Sequence, residues 1–268
     1  MITSPTNPRV KNLAALIQKA RTRKQQDVFV AEGVKMFLEA PAENLLEIYL
    51  TQSFYEKINQ EKDKEMMKKL EDCSYEILAD SLFERISDTR TPQGILCVVR
   101  QQHYKLEAIL KEKNPLLLLI EDIQDPGNLG TMIRTAEGAG VKGIIMSRQT
   151  VDIYNPKTIR STMGSIYRMP FLYTENLGEV IKQLASRQIK VYAAHLQGEK
   201  TYDQMDFRPG TAFLIGNEGN GLRQATAREA HCYMRIPMMG QVESLNAGVA
   251  AAILMYEAAR QRSVNVLE

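Results

Sequence analysis

The sequence lacks what would place it in several large classes. Its three cysteines, Cys73, Cys97 and Cys232, are too few and too scattered for a disulfide framework or a zinc site. A reducing cytoplasm is the expected setting. No run of about 18 apolar residues occurs, so no transmembrane helix is expected. The opening stretch, 1–8, is polar and lacks the apolar core of a secretory signal. Internal repeats and low-complexity tracts are missing as well. Net charge is nearly absent: 34 Lys and Arg stand against 32 Asp and Glu, a formal +2. That balance hides an uneven distribution. Arg9, Lys11, Lys19, Arg21, Arg23 and Lys24 all precede the first acid, Asp27. Such a basic arm can follow a phosphate backbone, or it can be a solvated helix face.

What is present supports a core. At 268 residues and 44% hydrophobic content, the chain can hold two domains. Val10, Leu13, Ile17 and Ala20 form a helical stripe opened by Asn7 and Pro8. Short β-like runs at 28–30, 45–50, 75–78 and 95–99 alternate with helical patterns at 34–40, 54–70 and 81–86, a small α/β unit. A charged helical stretch at 101–114 ends at Pro115, where the alternation restarts. The expected domains are therefore 1–104, a linker at 105–114, and 115–268. In the second domain the apolar run at 116–120 suits a strand covered on both faces. Further strands are expected at 143–146, 169–172, 189–193, 212–215 and 233–236. Helices are expected at 129–139, 156–163, 177–187, 222–230 and 244–260. This alternation predicts a mostly parallel sheet with helices on both faces. Ser244 is the expected N-cap of the last helix, with Leu245, Val249, Ala252, Tyr256 and Ala259 as its apolar face.

One literal motif is rejected. Gly138-Ala139-Gly140-Val141-Lys142-Gly143 matches the dinucleotide fingerprint, but that motif needs a strand before it and a helix after it. Here a helix ends and a strand begins, so a dehydrogenase reading is disfavoured. Three polar clusters instead follow apolar strands: 125–130 with Arg134, 216–221, and 243–246. Ligands of open α/β sheets bind beyond the carboxyl ends of strands, so these clusters are expected to converge. His195 is a lone histidine past a strand, expected to be structural. His231 beside Cys232 is too close in spacing for a metal site.

Asp125-Pro126-Gly127-Asn128-Leu129-Gly130-Thr131 with Arg134-Thr135-Ala136, then Gly216-Asn217-Glu218-Gly219 with Gly221-Leu222, then Ile236-Pro237-Met238 with Ser244-Leu245-Asn246, resemble the three ordered motifs of the SpoU (TrmH-type) RNA ribose methyltransferases. The likeness covers about 116–262. Asp152, Asn155-Pro156-Lys157, Arg160 and Met163-Gly164-Ser165 resemble a further segment of that family. Residues 1–100 resemble, more loosely, its small substrate-binding domain. Departures are few: Thr162 and Arg223 stand where serine is common, and Ala247-Gly248 where valine and serine are common.

The resemblance implies a small α/β substrate-binding domain followed by an α/β trefoil-knot domain. It also implies S-adenosylmethionine as cofactor, a homodimer, and 2′-O-methylation of a ribose in structured RNA. Ribosomal RNA is favoured over tRNA because of the extra N-terminal domain. A tRNA enzyme, or a knotted RNA-binding protein without transfer activity, is the alternative. No metal is expected. By resemblance Arg134 is the central catalytic residue, with Asn128, Glu218, Ser244 and Asn246 around it, and Glu218 is expected to orient Arg134 or the RNA. Gly216, Ile236 and Leu245 match cofactor positions. A guanidinium would need about 7–9 kcal/mol to be neutral at pH 7. Arg134 is therefore expected to hold a phosphate and polarise the hydroxyl rather than act as the base.

Overall fold

Asn7 and Pro8 start a helix as the sequence predicts. The Asn7 side chain accepts a hydrogen bond from the Arg9 amide, and Pro8 fills a position whose N–H has no intrahelical acceptor. In the computed structural model, which describes residues 1–71 and 73–263, the chain divides into two units. One is Met1–Gln102 with Asp152–Tyr167; the other is His103–Val151 with Arg168–Glu268.

The first unit runs α1 (Pro8–Gln18), α2 (Ala20–Gln26), β1 (Val28–Glu32), α3 (Val34–Glu39), β2 (Leu45–Thr51), α4 (Gln52–Glu61), α5 (Lys64–Glu71), β3 (Tyr75–Leu78), α6 (Asp80–Ile86) and β4 (Ile95–Arg100). Its sheet order is β1-β4-β2-β3, with β4 antiparallel to both neighbours and β2 parallel to β3. Val10, Leu13 and Leu16 of α1 pack with Val28, Val30, Phe83, Leu96 and Val98. The single helix expected at 54–70 is two. Lys62 takes a left-handed conformation (φ 52°) that ends α4, and Asp63 then caps α5 by accepting from the Met66 amide at 3.0 Å.

The basic arm is divided in its roles. Arg9 pairs with Glu76. Arg23 is only 3% exposed. It donates to the carbonyls of Leu16 (2.8 Å) and Ile17 (3.1 Å) at the end of α1, and its Nε and a terminal nitrogen reach Asp152 at 3.2 and 2.6 Å. Arg23 is therefore part of the fold, whereas Arg9 stays 58% exposed in a surface ion pair.

In the second unit the helix expected at 101–114 shrinks to one turn, α7 (Leu106–Ile109). Then come β5 (Leu116–Ile120), α8 (Pro126–Gly138) and β6 (Gly143–Ser147). The connection from β6 carries α9 (Pro156–Thr162), which clusters with the first unit. The rest is β7 (Phe171–Thr174), α10 (Leu177–Ser186), β8 (Lys190–Ala194), β9 (Lys200–Thr201), β10 (Thr211–Ile215), α11 (Gln224–Ala227), β11 (Cys232–Arg235) and α12 (Ala247–Ser263). Seven strands pair in parallel in the order β7-β6-β5-β10-β8-β11-β9. Every residue of β5 and β10 is buried. From β5 the chain winds outward through β6 and β7, then returns on the other side of β5. The carboxyl ends of β5 and β10 therefore mark a topological switch point, where an α/β sheet opens a crevice.

Three expectations for this unit are corrected. α8 begins at Pro126 because Asp125, not a later residue, caps it: its side chain accepts from the Asn128 amide. Ser244 does not cap α12. Asn246 does, its Oδ1 accepting from the amides of Gly248 (2.9 Å) and Val249 (3.2 Å). The buried face of α12 is Ala247, Ala251, Leu254, Met255 and Ala258, while Val249 (46%) and Tyr256 (54%) are exposed. α12 is apolar nearly all round, so spacing alone did not choose a face. The end of the expected second domain, 264–268, lies outside the described residues.

Candidate active site

The three polar clusters meet beyond β5 and β10. Asn128, in the first turn of α8, donates from Nδ2 to Glu218 Oε1 at 3.0 Å. Its Oδ1 accepts from Asn246 Nδ2 at 2.9 Å. Glu218–Asn128–Asn246 is thus a chain of hydrogen bonds with one member from each cluster. The Glu218 carboxylate also accepts from the amides of Asp125 (3.1 Å) and Gln124 (3.2 Å). Burial alone pushes the Glu218 carboxyl up. The hydrogen bonds from Asn128, its own amide, Asp125 and Gln124 outweigh that and hold it below its ordinary value of 4.5.

Between β10 and α11 the loop 216–222 folds on itself. Asn217 and Gly221 exchange backbone hydrogen bonds at 3.0 Å, and Asn217 Oδ1 accepts from the amides of Gly219 and Asn220. The entry and exit of the loop approach so closely that a Cβ on Gly216 would lie 2.4 Å from the Gly221 carbonyl carbon. Gly221 itself sits at φ +67°, which glycine adopts without strain.

A cavity of about 200 Å³ opens on this loop. Ile215, Ile236, Leu245 and Ala247 give it apolar walls; Gly216, Glu218 and Ser244 lie along its polar side. An apolar slot with a few convergent polar groups suits the flat base of a nucleoside-type ligand. Among the described residues no group of three or more His, Cys, Asp or Glu is placed to hold a metal ion. No helix there is long and apolar enough to cross a membrane.

The eight residues singled out in the sequence fall into three sets. Asn128, Glu218 and Asn246 form the hydrogen-bonded chain, while Gly216, Ile236, Ser244 and Leu245 line the cavity with Glu218. Arg134 stands apart: it is exposed on α8 and makes no side-chain hydrogen bond or ion pair with a described residue. The expected orientation of Arg134 by Glu218 is not made, because Glu218 is taken up by Asn128 and the 124–125 amides.

Sequence reasoning missed two features. His195 lines the cavity, stacked on Tyr233 with ring centres 4.8 Å apart, and its Nδ1 accepts from the Gln197 amide. Glu121, at the end of β5, is only 1% exposed and accepts from the Arg223 amide and the Thr226 hydroxyl. A carboxylate directly after five apolar residues was the available signal.

Both parts of the chain resemble known proteins. The model of the SpoU rRNA methylase family matches residues 115–256, and that of an MRM3-like substrate-binding domain matches residues 7–97. The 23S rRNA (guanosine(2553)-2′-O)-methyltransferase RlmP of Bacillus subtilis is 38% identical over 67% of this chain and 70% of its own length. The 23S rRNA (guanosine-2′-O-)-methyltransferase RlmB of Bordetella pertussis is 32% identical over 82% of this chain and 91% of its own. Among solved structures, the SpoU methyltransferase AviRb from Streptomyces viridochromogenes in complex with the cofactor AdoMet superposes with a TM-score of 0.84. It is 27% identical, covering 96% of this chain and 100% of that one. An rRNA methyltransferase from Sinorhizobium meliloti gives a TM-score of 0.82 at 30% identity, over 97% of this chain and 96% of that one. With its three motifs joined at one site and a family match spanning more than half its length, the chain belongs to the SpoU rRNA methylase family.

Proposed function

We propose that this protein transfers a methyl group from S-adenosylmethionine to the 2′-oxygen of a ribose in ribosomal RNA. The observation that carries the reading is the Glu218–Asn128–Asn246 chain, which ties the three motif clusters together beside the cavity while leaving Arg134 without a partner among the described residues. Relatives named as 23S rRNA 2′-O-methyltransferases support the substrate class.

Gly216, Ile236 and Leu245 would hold the cofactor through main-chain groups and apolar walls. When bound, S-adenosylmethionine supplies a methyl already activated by a sulfonium, so the protein's task is orientation. Arg134 grips the phosphate beside the target ribose and polarises the 2′-hydroxyl; a planar fork can meet both, and a lysine point charge cannot. The guanidinium stays protonated, so the hydroxyl proton passes to an RNA phosphate oxygen or to water. Asn128, Glu218 and Asn246 keep the loops in register, and Ser244 stands at the cavity beside them. In the first unit Lys11, Lys19, Arg21 and Lys24 supply phosphate contacts, since Arg23 is buried in the fold and Arg9 faces Glu76 in a surface pair. The second unit forms a trefoil-knotted homodimer through the face of α12 bearing Val249 and Tyr256, and the protein works in the cytoplasm. Sedimentation at micromolar concentration should show the dimer; a monomer would remove that part.

The test of the reaction uses tritium-labelled S-adenosylmethionine with purified rRNA and tRNA, followed by alkaline hydrolysis. A 2′-O-methyl group blocks attack on the neighbouring phosphodiester, so label should appear in alkali-resistant dinucleotides from rRNA. Label in mononucleotides would mean base methylation. Label in tRNA alone would move the substrate.

A further inference from the structure

The turn of loop 216–222 is bonded to itself, and its middle is anchored by Glu218 to Gln124, Asp125 and Asn128 and by Asn217 Nδ2 to the Asp122 carbonyl at 2.7 Å, which leaves the placement of its two ends to be explained. Glu121 holds both ends. Its backbone amide donates to the carbonyl of Ile215, the residue just before the loop, at 2.8 Å. Its carboxylate accepts from the amide of Arg223, the residue just after the loop, also at 2.8 Å. The second carboxylate oxygen accepts from the Thr226 hydroxyl at 2.5 Å, fixing the first turn of α11 as well. The close approach of Gly216 to Gly221 and Leu222 is the geometric trace of this pinch.

A buried carboxylate is costly unless its oxygens are satisfied, and Glu121 is 1% exposed. Side-chain contacts run alongside: Asp122 receives the Arg223 guanidinium at 2.5 to 2.8 Å, and Arg223 Nε lies 3.8 Å from Glu121 Oε1. Magnitudes separate the two. The Arg223 side chain is 51% exposed, so its ion pairs with Asp122 and, at longer range, Glu121 are screened and contribute little. The buried, charge-assisted bond from the Arg223 amide to Glu121 is of the stronger kind.

We propose that Glu121 is a positioning residue for the cofactor: it pins the entry and exit of loop 216–222 together and so sets the polar side of the cavity. This rests on reading that cavity as the S-adenosylmethionine site. Glu121 touches neither the cavity nor any reacting group in this assignment, and it acts only through the loop.

The test uses Arg223, where the side chain, including its 3.8 Å approach to Glu121, and the main-chain donor can be removed in turn. Arg223→Ala removes the guanidinium but keeps the amide. Arg223→Pro removes the amide too, at a φ of −64° that the proline ring adopts readily. Calorimetry with S-adenosylmethionine on the full chain should give a dissociation constant within about three-fold of wild type for Arg223→Ala. It should be weaker by about ten-fold or more for Arg223→Pro, the effect of losing one charge-assisted hydrogen bond. Transfer rate at saturating cofactor and KM for RNA should stay near wild type in both. Glu121→Gln, which can still accept from the amide while the Thr226 hydroxyl turns to accept, should recover most of the affinity that Glu121→Ala loses. Hydrogen exchange at the amides of Gly219 and Asn220 should quicken in Arg223→Pro with or without cofactor. Equal affinities for Arg223→Ala and Arg223→Pro would overturn the proposal, as would a fall in transfer rate as large as the fall in affinity. The cavity reading fails separately, if Leu245→Arg, which fills the cavity, leaves affinity unchanged.

Discussion

Arg23 and Arg134 show how differently the two units use one side chain. In the first unit Arg23 is buried, its donors taken by two helix-end carbonyls and Asp152. In the second, the polar groups beyond β5 and β10 satisfy one another, yet Arg134 stays exposed with no partner among the described residues. The buried arginine is part of the fold, while the exposed one is free for the role in RNA binding that we propose for it. In the sequence Arg23 is one of a basic arm, and only the family resemblance sets Arg134 apart from other helix arginines.

The comparison can be broken most sharply at Arg134. Arg134→Lys keeps the charge but not the fork, and should lower the transfer rate by about a hundred-fold or more, as losing an oxyanion-type hydrogen bond does. Cofactor affinity, measured in parallel by calorimetry, should hold. A shared loss would make Arg134 structural, like Arg23. Arg23→Met should do the reverse. It strips the donors from Leu16 and Ile17, at about 1–3 kcal/mol for each acceptor left unsatisfied, with affinity for S-adenosylmethionine unchanged under folding conditions. Denaturant unfolding reads the first effect. A stability loss below about 1 kcal/mol would mean that water replaces the arginine.

Two smaller effects sharpen the division. Replacing Lys11, Lys19 and Lys24 with alanine should flatten the salt dependence of RNA binding by about 0.7–0.9 log units for each phosphate no longer neutralised. Replacing Arg9, already paired with Glu76, should barely move that slope. An unchanged slope in the triple variant would make the arm a solvated face. Glu218 gives a pH signature. Its carboxyl is depressed in the fold, so its strap is fully present above the ordinary value of 4.5 and is lost as pH falls through the lower folded value. Cofactor affinity should be flat above about pH 5 and weaken in acid. Glu218→Gln should bind less well at neutral pH and show little further loss in acid. An acid dependence unaltered in that variant would point to another group.

Much of the fold was legible because local chemistry and global fold agree. The apolar runs of β5 and β10 announced buried parallel strands, and Asn7 with Pro8 announced the first helix. The glycines at 138–143 correctly signalled a helix end rather than a nucleotide loop. Legibility failed where two local solutions compete. At 54–70 the helical pattern ran through Lys62 and hid a left-handed break, although Asp63 offered the cap of a new helix. Before α12, Ser244 and Asn246 are both good caps, and only the bond from Asn246 to Asn128 decides between them. In α12 itself alanine on every side let Val249 and Tyr256 pass for core. The convergence of the three clusters could be anticipated from motif order. The grip of Glu121 on Arg223 could not, since it joins residues 102 positions apart through a main-chain donor that any residue but proline would supply.

The central assignment is tested most directly by mapping ribose 2′-O-methylation across ribosomal RNA from cells lacking this protein, complemented with wild type or with Arg134→Lys. Loss of methylation at a discrete ribose, restored by wild type and not by Arg134→Lys, is the expected result. A map that does not change when the protein is removed, or one that Arg134→Lys restores in full, would contradict it.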